Sequence, residues 1–300
     1  MTITTVNSDR TNKQLKNKGL TGWLSSYKVR LFFRNKGAIA GLIVILFWIL
    51  VAVFANYIMP YDPYDSVGKA KAPPSAEFIL GTDLLGRDML SRIIIGARIS
   101  LFLGTISVIL GSVPGVILGL MAGYYGGIVD TIIMRVVDSM LAFPGMLLAL
   151  VVIASLGPSI ENVMIAVGVS TMPQYARLTR SVVLSVKNTI YVDAAKVIGS
   201  KASRIMFRHI LPNSLSPLIV LSTLQVGNAI LVGAGLSFLG MGAQPPSAEW
   251  GLMAAVGRKV LEKAWWVSTF SGLAILSVVM AFNLMGDGLR SALDPRMKMD

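Results

Sequence analysis

Six uncharged, mainly apolar runs divide this chain: Gly37–Met59, Ile99–Val129, Ser139–Ile160, Asn162–Ala176, a stretch from about Ser216 to Phe238, and Ala264–Gly286. A bilayer core about 30 Å thick needs roughly 20 apolar helical residues, so each run predicts a membrane-spanning helix, the fourth being short. The fold class expected is an all-α membrane protein with six transmembrane helices. The first run is longer than the apolar region of a secretory signal and lacks a small-residue cleavage site before its polar flank, so it reads as a retained anchor. Upstream, Trp23, Tyr27 and Leu31 recur at helical spacing among Lys28, Arg30, Arg34 and Lys36. That pattern predicts a helix lying on the membrane surface. Met1–Leu20 lacks apolar periodicity and reads as a basic tail. Between the fourth and fifth runs, Tyr191–Asn213 reads YVDAAKVIGSKASRIMFRHILPN, a polar and basic helical stretch.

Composition agrees with the runs. Hydrophobic residues make up 54% of the chain and charged residues 14%, well below the quarter usual in a soluble domain. The net charge of +12 raises nucleic acid as a partner, but its distribution has a topological explanation. With the N-terminus inside, the inner segments hold 19 of the 27 Lys and Arg and the outer segments 8, with the 15 acids divided almost evenly. This excess fits an N-in, C-in topology. The implied division is a cytosolic segment 1–36 with its juxtamembrane helix, a six-span domain 37–290 with a cytosolic loop 177–213, and a cytosolic tail 291–300.

Chemistry is sparse. Cysteine is absent and His209 is the single histidine, so neither a thiolate site nor a histidine metal cluster is expected. No G-x-x-x-x-G-K-[ST] phosphate loop occurs; Gly68-Lys69-Ala70 lacks the upstream glycine and the hydroxyl that would hold magnesium. The chain is therefore not expected to be an ATPase or other enzyme. Ion-gradient transport would call for ionisable groups near the midplane, and the predicted cores hold none. Asp130, Arg135 and Asp138 fall at the inner end of the second hairpin, Arg135 and Asp138 as an interfacial pair, and Glu161 falls at an outer turn. Either another subunit supplies the energy, or the chain is a passive channel or scaffold.

In the cytosolic loop, Ala195 and Gly199 are i and i+4, and Ala194, Ile198 and Ala202 form an adjacent stripe. Gly199 costs helix propensity and marks a bend. Ser200 or Ser203 is placed to cap a second short helix, Pro212 to stop it, and Asn213 or Ser214 to cap the fifth span. Two short helices meeting at an angle are expected, either as a docking element or as a plain cover for the bundle end.

The pattern D-A-A-x-x-x-G, then nine residues, then H-x-L-P resembles the coupling loop of permease subunits in binding-protein-dependent ABC importers. The resemblance implies that Asp193, Ala194, Ala195, Gly199, His209, Leu211 and Pro212 dock in a cleft on an ATP-binding subunit; Asp193 stands where the family usually has glutamate. Three further stretches resemble the dipeptide, oligopeptide and nickel branch: LGTDLLGRDMLSRIIIGAR (80–98), AGYYGGIVDTIIMRVVDSMLAFPG (122–145) and SFLGMGAQPPSAEWGLM (237–253). GDGLRSALDPR (286–296) matches the branch's closing pattern, with Ser291 where an acid is common.

Read physically, Asp83–Arg87 and Asp88–Arg92 are i,i+4 pairs of a solvated outer amphipathic helix, capped by Thr82 or Asp83. The 237–253 loop lies outside, where it meets a binding protein, lines the pore mouth or simply re-enters. Gln225 and Asn228, three apart, either pack between helices or line a polar pathway. Gly104, Gly111, Gly115 and Gly119 suggest close helix packing, with a kink at Pro114.

The resemblance further implies the type I architecture of these permeases in a prokaryotic cytoplasmic (inner) membrane. It implies one half of a heterodimer with a second permease subunit, two ATP-binding subunits and an extracytoplasmic binding protein. ATP and magnesium would sit on the ATPases, leaving no cofactor or metal in this chain. The implied cargo is a di- or oligopeptide, with nickel, a metal chelate or glutathione as alternatives.

Overall fold

The computed structural model describes residues 27–293. Most of the predicted N-terminal segment, including Trp23 and the basic tail, and the end of the closing motif from Asp294 onward lie outside the described residues. A short helix α1 (Tyr27–Arg34) leads into α2 (Lys36–Val53), whose first turn is capped by Asn35 Oδ1 accepting from the Ala38 N–H at 3.2 Å. A single turn, α3 (Ala55–Ile58), ends this span, and an irregular outer segment runs to residue 88.

The second span, α4 (Met89–Tyr125), is 37 residues long, or about 55 Å at 1.5 Å per residue. It begins ten residues before the apolar run because Arg92 and Arg98, which set the predicted boundary, are satisfied by protein carbonyls. Arg98 donates to Ala52 O at 3.0 Å and Arg92 to Pro63 O at 2.8 Å. Pro114 sits inside α4 without interrupting it.

The third run differs more. It is divided between α5 (Gly127–Leu141) and α6 (Gly145–Leu156), which meet at 95°. Pro144 has no N–H to continue the ladder and forces Phe143 out of helical backbone, so the break falls there. The short fourth run becomes α7 (Ile160–Val186), 27 residues capped by Ser159. It continues through Arg177 and Arg180 because both find carboxylates on α5.

Beyond α7 come α8 (Ile190–Val197), a turn α9 (Ala202–Arg204) and a π-helical turn Ile205–Ile210, which passes unbroken into α10 (Leu211–Phe238). Pro212 therefore stops nothing: it lies in the first turn of α10, where a missing N–H is tolerated. Asn213 and Ser214 do not cap α10; they bond back to the carbonyls of His209 and Ile210. The outer helix α11 (Trp250–Arg258) and the last span α12 (Trp265–Leu293) complete the chain.

Among the described residues, four helical stretches are long and apolar enough to cross a membrane alone, namely α2, α4, Ala202–Phe238 and α12, and the bent α5–α6 pair counts as a fifth if taken as one span. The fourth predicted span, α7, has the length but more polar residues. It tolerates them because it packs against α4, α6 and α10, with Val163, Val167, Tyr175 and Ala176 fully buried.

Small residues set that packing. A Cβ on Gly111 would stand 2.6 Å from Gly168 O, one on Gly115 2.6 Å from Met172 O, and one on Gly119 2.5 Å from Ala176 O, so backbones of α4 and α7 touch over about two turns. Gly104 meets α10 instead, at Val226 and Ile230.

The ends sort into two sides. Gly288 near the end of α12 packs on Ala38 at the start of α2, and Lys187 after α7 donates to Gly123 O at 3.0 Å near the end of α4. At the opposite side, Arg92 of α4 donates to Pro246 O and Trp266 of α12 donates to Thr82 O in the outer segment. Both ends of the described chain thus share a side with the 187–210 loop, as the distribution of basic residues predicts.

Candidate coupling loop, inner ion pairs and amide array

The loop after α7 is built from a reversal. Gly199 holds left-handed backbone at φ +74°, and the N–H groups of Gly199 and Ser200 close onto the carbonyls of Lys196 and Ala195. Only glycine enters this conformation cheaply, which explains its position just past α8. The expected bend is present. The second helix, however, is preceded by Lys201 with no side-chain cap, so neither Ser200 nor Ser203 serves.

α8 has two faces. Val192 and Ala195 turn inward with Ile205 and Ile210 onto Leu120 and Val183, the ends of α4 and α7. Outward, Ile190, Val197 and Ile198 are 89%, 87% and 80% exposed. The predicted stripe is thus corrected. Ala195 seats the loop on the bundle, and Ala202 lies beyond the reversal, off the face that Ala194 shares with Val197 and Ile198.

Asp193 is exposed and its Oδ1 accepts from Lys196 Nζ at 2.9 Å. His209 is half-buried, Leu211 packs partly inward and Pro212 is exposed. These three large aliphatics lie in a stretch that reads as polar and basic, and their exposure calls for a partner.

Above the loop, Arg180 donates from Nε and Nη2 to both Asp130 oxygens at 2.5 and 2.6 Å, and Arg177 Nη2 lies 2.5 Å from Asp138 Oδ1. Asp138 therefore pairs with α7, not with Arg135 as its spacing suggested. Arg135 is exposed beside Phe143 at the α5–α6 bend.

Deeper in the bundle, Gln225 is buried and hydrogen-bonded to Gln174 of α7, and Asn228 Nδ2 donates to Gln225 Oε1 at 3.0 Å. Gln174 and Asn228 are exposed while Gln225 is not. Exposed amides in a membrane span are costly against lipid, so this side of α7 and α10 is suited to protein or water. A largely apolar groove of about 660 Å³ lies between α4 and α10, where Tyr175 and Ser222 hydroxyls meet at 3.2 Å. Neither Gln225 nor Asn228 lines it. Gln174 had no sequence signal of its own beyond being a polar residue within a predicted span.

The outer motif differs most from expectation. Residues 80–88 form turns, not a helix, and Asp88, not Thr82 or Asp83, caps α4 by accepting from Ser91 N–H at 2.8 Å. Asp83, Arg87, Asp88 and Arg92 are all buried. Arg92 turns away from Asp88 to the carbonyls of Pro63, Pro246 and Ser247. In the 237–253 loop, Trp250 is buried, donating to Ile93 O at 3.1 Å. The outer motif is thus a fastening between loops.

Residues 115–299 match the family described as "Binding-protein-dependent transport system inner membrane component", and residues 26–74 match the "N-terminal TM domain of oligopeptide transport permease C". The chain is 54% identical to the dipeptide transport system permease protein of Escherichia coli (strain K12), over 89% of this chain and 91% of that one. It is 48% identical to a di/tripeptide transport system permease protein of Pseudomonas aeruginosa, over 89% and 90%. It is 46% identical to a glutathione transport system permease protein of Pectobacterium atrosepticum, over 90% of each. In fold it is similar to a solved inward-facing structure of the MetNI methionine ABC transporter, with TM-score 0.55 and 18% identity, over 68% of this chain and 97% of that one.

Proposed function

The chain belongs to the family of inner membrane components of binding-protein-dependent transport systems, and on that premise we propose that it forms half of the pathway of an ATP-driven importer of di- and tripeptides. The observation that carries the cargo is the identity of about half of all residues, across nearly the whole chain, to permeases named for dipeptides. In this reading the chain pairs with a second permease subunit and works with two ATP-binding subunits and an extracytoplasmic binding protein. ATP and magnesium stay on the ATPases.

The exposed face of α8 enters the ATPase cleft, with Asp193, Ala194 and Gly199 at the contact. His209, Leu211 and Pro212 carry the loop into α10. A push on α8 reaches α4 and α7 directly, because Val192 and Ala195 rest on Leu120 and Val183. The Gln174–Gln225–Asn228 array offers donors and acceptors to a peptide backbone on the side facing the second permease. Glutathione, itself a tripeptide, is the second reading, favoured by the relative named for it.

The test is uptake by proteoliposomes holding the full complex, with labelled dialanine, trialanine, glutathione and a nickel chelate supplied to the binding protein. ATP-dependent uptake of the small peptides is expected. Asp193→Ala and Gly199→Leu should lower it while the permease pair stays assembled. Uptake without ATP would make the chain a passive channel, and uptake of the nickel chelate alone would overturn the peptide reading.

A further inference from the structure

α5 is a rod between two sharp backbone joints. At its start, Gly126 and Gly127 both hold left-handed backbone, φ +67° and +54°, with open space where a Cβ would stand. At its end, the chain turns by 95° into α6, and every residue from Ala142 to Leu147 is exposed. Between these joints, Val137 alone among its residues is buried. Apolar packing therefore does little to fix α5. Two charge pairs do: Asp130 with Arg180 and Asp138 with Arg177.

The spacing gives the pairs a mechanical meaning. Arg177 and Arg180 lie three apart on the inner end of α7, which passes through three linking residues into α8. Asp130 and Asp138 lie about 12 Å apart along α5. The rod is thus held to α7 at two points along its length, which prevents both sliding and rolling. The Asp130 pair is two-pronged and only partly exposed; the Asp138 pair is open to solvent.

We propose that these four residues form a latch that makes α5 move with the inner end of α7, so that displacement of α8 swings the Phe143–Pro144 bend across the inner mouth of the pathway. They are positioning residues and touch no cargo. The inference rests on the reading of α8 as the ATPase docking element.

Charge reversal tests it in the complete complex in proteoliposomes. Asp130→Arg or Arg180→Asp alone should leave ATP hydrolysis within about twofold and lower dipeptide uptake about tenfold, the scale of a lost coupling term. The double variant Asp130→Arg/Arg180→Asp should recover most of that uptake. Single variants that transport normally, or a double variant that hydrolyses ATP without recovering uptake, would overturn the latch.

A distance measurement covers the case in which single variants fail to assemble. The chain has no cysteine, so nitroxide labels can be placed through new cysteines at Thr131, Ser155 and Ser181. Between the ATP-free and vanadate-trapped states, Thr131–Ser181 should stay constant while Thr131–Ser155 changes by about 5 Å, the scale of a one-turn shift. The opposite pattern would also overturn the latch. Failure of the docking reading appears separately, as ATPase subunits that copurify equally with wild type and with Ile198→Arg.

Discussion

Arg87 and Asp83 form a buried ion pair in a turn: the Nε–H donates to Asp83 Oδ2 at 2.7 Å and the Arg87 backbone N–H to Oδ1 at 3.0 Å. Arg92 Nε approaches the same Oδ2 at 3.6 Å. One carboxylate thus faces two buried guanidinium groups. Removing it as Asp83→Ala should cost about 3–5 kcal/mol, the penalty of leaving buried charge without its partner. Asp83→Asn keeps an acceptor for the Leu85 and Arg87 N–H groups and should fall between. Thermal unfolding of the purified complex should rank wild type above Asp83→Asn above Asp83→Ala.

The outer motif also shows where sequence reasoning reached its limit. Acid and base four apart read as a helix pair, yet Gly81 and Gly86 take left-handed backbone and break the chain into turns before Asp88. Apolar runs placed a helix at each of the six predicted positions, four of them long and apolar enough to cross a membrane alone, because lipid imposes that composition locally. They missed the true ends of α4 and α7, because arginines in those helices are paid for by partners far away in sequence. The partners of Asp138 and Gln225 were illegible for the same reason: Arg177 and Gln174 come close only once α5, α7 and α10 pack. Gly199 was legible because its reversal is a local backbone requirement.

Close approach of α4 and α7 makes opposite predictions for two glycines. At Gly111 a Cβ would stand 2.6 Å from Gly168 O, so Gly111→Ala must push two backbones apart and should cost about 1–3 kcal/mol. Gly272 in α12 has nothing within 4 Å, and Gly272→Ala should gain up to about 1 kcal/mol of helix propensity. Melting temperatures of the two variants should move in opposite directions.

On α8, the outward and inward faces should separate binding from folding. Ile198→Arg places charge on a residue that touches little of this chain, so thermal stability should change by less than about 0.5 kcal/mol. ATPase subunits should nevertheless be lost on copurification, since charge at the centre of an apolar contact is strongly unfavourable. Ala195→Leu should do the reverse first: it overfills the contact with Leu120 and Val183 and lowers the melting temperature. Equal ATPase recovery with Ile198→Arg and wild type would remove α8 from the interface.

Glu249 gives the outer loops a pH dependence. Its carboxylate is buried and caps α11, accepting from the Gly251 and Leu252 N–H groups at 2.8 Å each. Burial raises its pKa above the ordinary glutamate value, and the two backbone bonds only partly offset this. A raised folded-state pKa means that the folded protein holds the proton more tightly than the unfolded chain. The associated stability is fully present below the ordinary value of 4.5 and is lost as pH rises through the folded-state pKa. Glu249→Gln imitates the protonated form and cannot ionise. Its melting temperature should therefore fall less than that of wild type as pH is raised from about 4.5 to neutrality. Parallel curves for the two proteins would show that burial leaves this carboxyl unshifted.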